Sequence, residues 1–223
     1  MNDLILAVGP GIKTQDLEDL AGSLIKERGV ESSFLGYRGY PAILCVSVNE
    51  EVVHVVPGKR VLKSGDIVSL DLGVNYQGWH TDLAVTVPVG EITESAKCLL
   101  DTTREALKIG IKKVKAGATT GDIGYTIQNF VESQGYNVIK ELCGHGIGQR
   151  VHEDPEIPNF GEPGKGYEFW EGQLICLEPM VTLGSGRIKK KGQGYLTKDK
   201  ALSAHFEHTL LVQKNGAKIL TEL

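Results

Sequence analysis

The sequence of 223 residues has no C-x-x-C pair, no long apolar run and no excess of positive charge. Its four cysteines, Cys45, Cys98, Cys143 and Cys176, are scattered, which argues against a disulfide framework and for a reducing compartment. No stretch approaches the roughly 18 apolar residues of a membrane span. The opening Leu4-Ile5-Leu6-Ala7-Val8 is short, lacks a basic flank and follows Asp3, so it does not read as a secretion signal. A net charge of −4 gives no global attraction for nucleic acid. What remains is an ordinary globular composition, 41% hydrophobic and 23% charged, in a chain long enough for one large domain or two small ones. A cytoplasmic protein without membrane contact is expected.

The chain carries an internal repeat. VGPGIKTQDLEDLAGSLIKERG (8–29) aligns without a gap with VKAGATTGDIGYTIQNFVESQG (114–135). Each stretch reads as a loop, a Thr cap with Asp two residues on, an amphipathic helix and a Gly stop. This predicts one domain, 1–223, made of two similar halves of about 1–92 and 93–223. The second half opens with a helix over 95–114. By the offset of the repeat, the counterpart of that helix would begin before Met1, so the chain is expected to start inside its first helix. Helices followed by antiparallel strands, twice over, predict an α+β fold with a central curved sheet and helices on one side.

The stretch VSLDLGVNYQGWHTDLAV reads as a β-hairpin about a four-residue turn, Asn75-Tyr76-Gln77-Gly78. That fold places Asp71 directly opposite Asp82. At about 5 Å and an effective dielectric near 20, two ionised carboxylates repel by roughly 3 kcal/mol. A shared proton, a register that turns both to solvent, or a divalent cation between them would each relieve this. Glu178 interrupts the apolar run LICLEPM, and Glu207 interrupts HFEHTLLV. Two further acids inside strands weaken the solvent-facing explanation. GHGIG sets His145 between glycines, where backbone can approach a ligand closely. All six histidines, 54, 80, 145, 152, 205 and 208, fall in or beside these segments. Four carboxylates and one imidazole suit Mn, Fe or Co better than a structural zinc. Four negative charges would balance two divalent cations, and such a pair can activate water near neutral pH.

The ordered set Asp71, Asp82, His145, Glu178 and Glu207, with GHGIGQRVHEDPEIPNF and LSAHFEHTLLV, closely resembles type I methionine aminopeptidases. The resemblance runs from about Gly9 to Thr221. It implies a pita-bread fold with two pseudo-symmetric halves. It also implies two divalent metal ions (Co, Mn or Fe), with Asp71 on one, Asp82 and Glu207 bridging, and His145 and Glu178 on the other. Glu178, His152 and His54 would be the catalytic residues. Glu178 would be general base, His152 would contact the scissile peptide, and His54 would sit over the second residue. Phe34, Tyr37, Tyr40 and Cys45 would wall the methionine pocket. The implied reaction is release of N-terminal methionine from nascent polypeptides when the next residue is small.

The departures from the family pattern fall around that pocket. Leu142, Val55 and Val151 replace commoner residues, and the 187–200 loop has Tyr195 but no Trp. The same loop holds Lys189, Lys190, Lys191, Lys198 and Lys200, a solvated charge run or a basic contact for the ribosome. Nothing in the sequence demands a dimer, so a monomer is expected. The alternatives are a proline-specific aminopeptidase or dipeptidase of the same fold, and a non-catalytic pita-bread binding protein.

Overall fold

In the computed structural model, which describes residues 1–223, the paired helices start one residue earlier than expected. The caps are Lys13 and Thr119, not the expected Thr14 and Thr120. Asp16 and Asp122 then stand third in their helices. Asp16 Oδ2 accepts the Lys13 N–H at 2.8 Å, and Asp122 Oδ2 accepts both the N–H and hydroxyl of Thr119 at 2.8 Å. The two threonines are free to hold loops instead. Thr14 Oγ1 donates to Gly58 O at 3.0 Å, and Thr120 Oγ1 accepts the Tyr167 N–H at 3.2 Å.

The first part of the chain runs α1 (Asn2–Ala7), α2 (Thr14–Arg28), β1 (Glu31–Ser32), β2 (Cys45–Val48), β3 (Glu51–Val53), β4 (Ile67–Tyr76) and β5 (Trp79–Pro88). The second part opens with α3 (Glu94–Lys113) and α4 (Thr120–Ser133). Strands follow as β6 (Asn137–Val138), β7 (Cys143–Gly146), β8 (Glu153–Pro158), β9 (Leu174–Leu177) and β10 (Met180–Thr182). The chain closes with β11 (Ile188–Lys191), β12 (Gly194–Thr197), β13 (Ser203–His205), β14 (His208–Gln213) and β15 (Gly216–Ile219). α1 and α3 end alike, at Val8 (φ −69°, ψ 124°) and Val114 (φ −69°, ψ 121°). No helix is long and apolar enough to cross a membrane.

The hairpin β4–β5 corrects the expected register. Its turn is the two-residue Gln77-Gly78, both in the left-handed region (φ 53° and 84°), and Tyr76 pairs with Trp79. Gly73 therefore lies opposite Asp82, and Ala84 opposite Asp71. The two acids are diagonal, not face to face. Because the error is two positions, both still point to one face.

β4 is flanked by β5 on one side and by β1 and β2 on the other. The largest sheet runs β15-β14-β9-β7-β8, and smaller sheets run β13-β10-β6 and β11-β12-β3. β5 and the segment 205–209 lace the two larger sheets together. Thr86 Oγ1 accepts the His205 N–H and donates to His205 O, both at 2.8 Å. Glu207 N–H donates to Ala84 O at 2.9 Å. Asp82 N–H donates to Thr209 Oγ1 at 2.7 Å, and that hydroxyl donates back to Asp82 O at 2.8 Å. The result is one curved antiparallel surface. Its apolar face meets the helices through Leu17, Leu70, Leu99, Ile123, Ile127 and Leu177, each 1% exposed or less. Full burial of each such side chain stabilises by about 1.5–3 kcal/mol.

Candidate metal centre

The lacing aligns side chains from different strands into two neighbouring rows. One runs Cys45, Asp71, Ala84, Glu207; the other runs Gly73, Asp82, Thr209, Cys176, His145. Acids alternate with small residues from row to row, so the carboxylates are staggered. Glu178 and Glu207 do not lie within strands as expected. Glu178 sits in the break after β9, followed by Pro179, which has no N–H to continue the ladder, and Glu207 sits in the break between β13 and β14. The glycines around His145 also serve a purpose other than the one expected. A Cβ at Gly144 would strike Cys176 O, and one at Gly146 would strike Asp154 O. They allow β7 to sit tightly between β8 and β9, which fixes His145.

Ligand-type atoms of Asp71, Asp82 and Glu207 lie within 4.8 Å of one another, as do those of Glu178, His205 and Glu207 and those of His145, Cys176 and Glu207. His145 Nδ1 donates to Gly146 O at 2.8 Å, which leaves Nε2 unprotonated and 3.6 Å from Glu178 Oε1. Burial and Glu178 push the Asp71 carboxyl up to about 7. Burial and the neighbouring acids push Asp82, Glu178 and Glu207 well above the usual carboxylate range. Asp71 Oδ1 and Glu207 Oε1 are buried without a hydrogen-bond partner. The only basic groups within 4 Å of these acids are His145 and His205. Burial pushes those imidazoles down, to about 4 and about 3, so both are neutral near pH 7. The cluster lacks the positive charge it needs, and two divalent cations fit that deficit and the oxygen-rich donor set.

All eleven site residues named from the sequence line one cavity of about 280 Å³. His152 stacks on Tyr37 with ring centroids 5.1 Å apart and lies 4.1 Å from the His145 ring. Burial, then His145, His54 and Arg38, push its imidazole down to about 3, so it is neutral near pH 7. His54 adopts φ 59°, an uncommon conformation outside glycine, and meets Tyr195 edge-on at 6.0 Å. Burial and Lys190 push its imidazole down as well. Phe34, Tyr40, Ala42, Cys45 and Val151 form a buried apolar wall with Tyr37 packed against it. Tyr40 Oη lies 3.1 Å from both Leu44 O and Val55 O. All four cysteines are free, and burial keeps Cys45 and Cys176 as thiols. A second groove of about 320 Å³, lined by Leu24, Leu72 and Leu223 among others, holds none of these residues.

Sequence reasoning missed Arg38, Lys190 and Gln193 as cavity residues, and His205 and Cys176 as neighbours of the acids. His205 and Cys176 carried a signal, since each stands two residues before an acid of the site. Lys190 and Gln193 carried none. They arrive because β12 pairs with the distant β3, which folds the β11–β12 hairpin over the cavity.

The profile of metallopeptidase family M24 matches residues 1–214. Methionine aminopeptidase 1 of Bacillus subtilis is 44% identical over 97% of this chain and 88% of its own length. The Clostridium perfringens methionine aminopeptidase is 45% identical over 99% of this chain and 90% of its own length. The crystal structure of methionine aminopeptidase from Thermotoga maritima superposes with a TM-score of 0.98 at 46% identity, over 100% of this chain and 90% of that one. A prolidase from Pyrococcus furiosus shares the pita-bread fold at 24% identity (TM-score 0.80), covering 99% of this chain and 58% of that one. A match extending through every acid of the cavity floor and both paired helices places this chain in metallopeptidase family M24.

Proposed function

We propose that this chain removes the N-terminal methionine of nascent polypeptides whose second residue is small. The carrying observation is the convergence of four buried, uncompensated carboxylates and the His145 imidazole on the floor of one cavity with an apolar aromatic wall. Identities of 44–45% to methionine aminopeptidases over nearly the whole chain support the same reading. In it, Asp71 would hold one divalent cation, His145 and Glu178 the other, and Asp82 and Glu207 would serve both. Mn, Fe and Co are the cations that suit the donors. Such cations would supply Lewis-acid activation of water and of the scissile carbonyl.

The protein's own groups do the rest. The Glu178 carboxylate, at the edge of the cavity floor, takes the proton of the attacking water. Neutral His152, held by stacking on Tyr37, donates a hydrogen bond to the scissile peptide and steadies developing negative charge. His54 covers the second residue of the substrate. Phe34, Tyr37, Tyr40 and Cys45 receive the methionine side chain, whose thioether makes favourable contacts with aromatic rings. The domain reading remains one unit of two pseudo-symmetric halves, 1–92 and 93–223, in a cytoplasmic monomer. Lys190 faces the cavity, so a ribosome contact would fall to Lys189, Lys191, Lys198 and Lys200.

The test is hydrolysis of Met-Gly-Met-Met against Xaa-Pro peptides by metal-stripped protein reloaded with Mn²⁺, Fe²⁺ or Co²⁺. Metal-dependent methionine release, lost in Glu178→Ala, is expected. Cleavage only before proline would move the chain to the proline-specific peptidases.

A further inference from the structure

His205 has no role in the proposed reaction, yet it is 2% exposed and its ring points at Glu178 and Glu207. Both ring nitrogens are buried without a hydrogen-bond partner. Nε2 lies 3.6 Å from Glu178 Oε2 and 3.7 Å from Glu207 Oε2. These separations exceed hydrogen-bond range. They are close to the spacing of two donors on one cation, since ligands about 2.1 Å from a metal at near-tetrahedral angles stand about 3.4 Å apart. His145 Nε2 stands at the same 3.6 Å from the other oxygen of Glu178. The Glu178 carboxylate thus has one imidazole on each oxygen. The backbone of His205 is fixed as firmly as that of a ligand, through its paired bonds to Thr86 Oγ1.

We propose that His205 Nε2 is a sixth protein donor, bound to the cation that Glu178 and Glu207 hold. The inference rests on the reading of the acids as a metal centre. It gives that cation two imidazoles, from His145 and His205, and shifts its preference along the first-row series from Mn²⁺ toward Fe²⁺ and Co²⁺. A buried imidazole with neither nitrogen paired is otherwise a standing cost to the fold.

The test counts metal-bound nitrogens in the full chain. Protein with ¹⁵N-labelled histidine is stripped and reloaded with Mn²⁺, and electron–nuclear double resonance reads directly bound imidazoles. Two are expected in the parent and one in His205→Gln, with Co²⁺ affinity by titration calorimetry lowered at least about tenfold in that variant. A single imidazole in the parent overturns the proposal while leaving the metal centre intact. No bound Mn²⁺ or Co²⁺ overturns both. The count in the parent decides the matter even if His205→Gln fails to fold.

Discussion

The floor and the walls of the cavity are built by different means. Floor residues lie on or beside paired strands, and their positions follow from register. Asp71 is opposite Ala84, Asp82 is tied to Thr209, Glu207 is tied to Ala84, and His145 is opposite Cys176. Wall residues come from the 34–45 segment, from His54 and His152, and from the β11–β12 hairpin. They hold one another by ring contacts and by a long-range strand pairing. The floor is tied by strand pairing and is electrostatically unfavourable without cations. The walls are largely aromatic and apolar, with Arg38 and Lys190 the charged groups among them. Changes to the floor should therefore act on metal binding and on the fold, and changes to the walls on substrate affinity.

The sharpest way to break that contrast is Asp82→Asn. Activity should fall at least about a hundredfold, the scale of losing one stabilising group at a reacting centre. The metal-free variant should unfold at a higher temperature than the metal-free parent, because one member of a repelling buried cluster is gone. Calorimetry in chelator measures both samples side by side. Gly144→Ala tests the floor's geometry. Its Cβ would enter Cys176 O, so a loss of about 1–3 kcal/mol in urea unfolding is expected, with weaker cation binding.

The pH dependence of the metal-free protein has a definite sign. Asp71 binds its proton more tightly folded than unfolded, with its carboxyl raised from 3.8 to about 7. Its contribution to stability is complete below about pH 4 and is lost as pH rises through about 7. Because the lowered His145, His152 and His205 act in the opposite sense below about pH 6.5, unfolding midpoints in chelator should fall from about pH 6.5 to 8, and saturating Co²⁺ should abolish the fall. A wall change is smaller. Lys190→Ala should alter KM a few-fold with little change in kcat, an effect of about 1 kcal/mol or less. The smallest effect belongs far from the site. Asp122→Asn weakens the cap of α4 and its bond from the Gly164 N–H, and should cost about 1 kcal/mol without touching activity.

Much of the floor was legible because acids in apolar strands are conspicuous. The hairpin register differs by two positions from the expected one, because Gln77-Gly78 makes a two-residue turn where the sequence predicts a four-residue one. The face survived because strand periodicity is two. His205 stands two residues before Glu207, the same spacing as Cys176 before Glu178, and that spacing is the mark it carries in the sequence. The lacing of β5 to the 205–209 segment was not legible, because it depends on side-chain bonds of Thr86 and Thr209 across more than a hundred residues of sequence. Lys190 reads as part of a solvated charge run and Gln193 carries no signal, and the β12–β3 pairing brings both to the cavity.

The central claim is that the four staggered carboxylates exist to hold cations. Equilibrium dialysis of metal-stripped protein against Co²⁺, with bound metal read by mass spectrometry, tests it directly. Two cations per chain in the parent, fewer than two in Glu207→Gln, and an unfolding midpoint raised by the metal are predicted. A parent that binds no Co²⁺ and unfolds at one temperature with or without chelator would contradict the account.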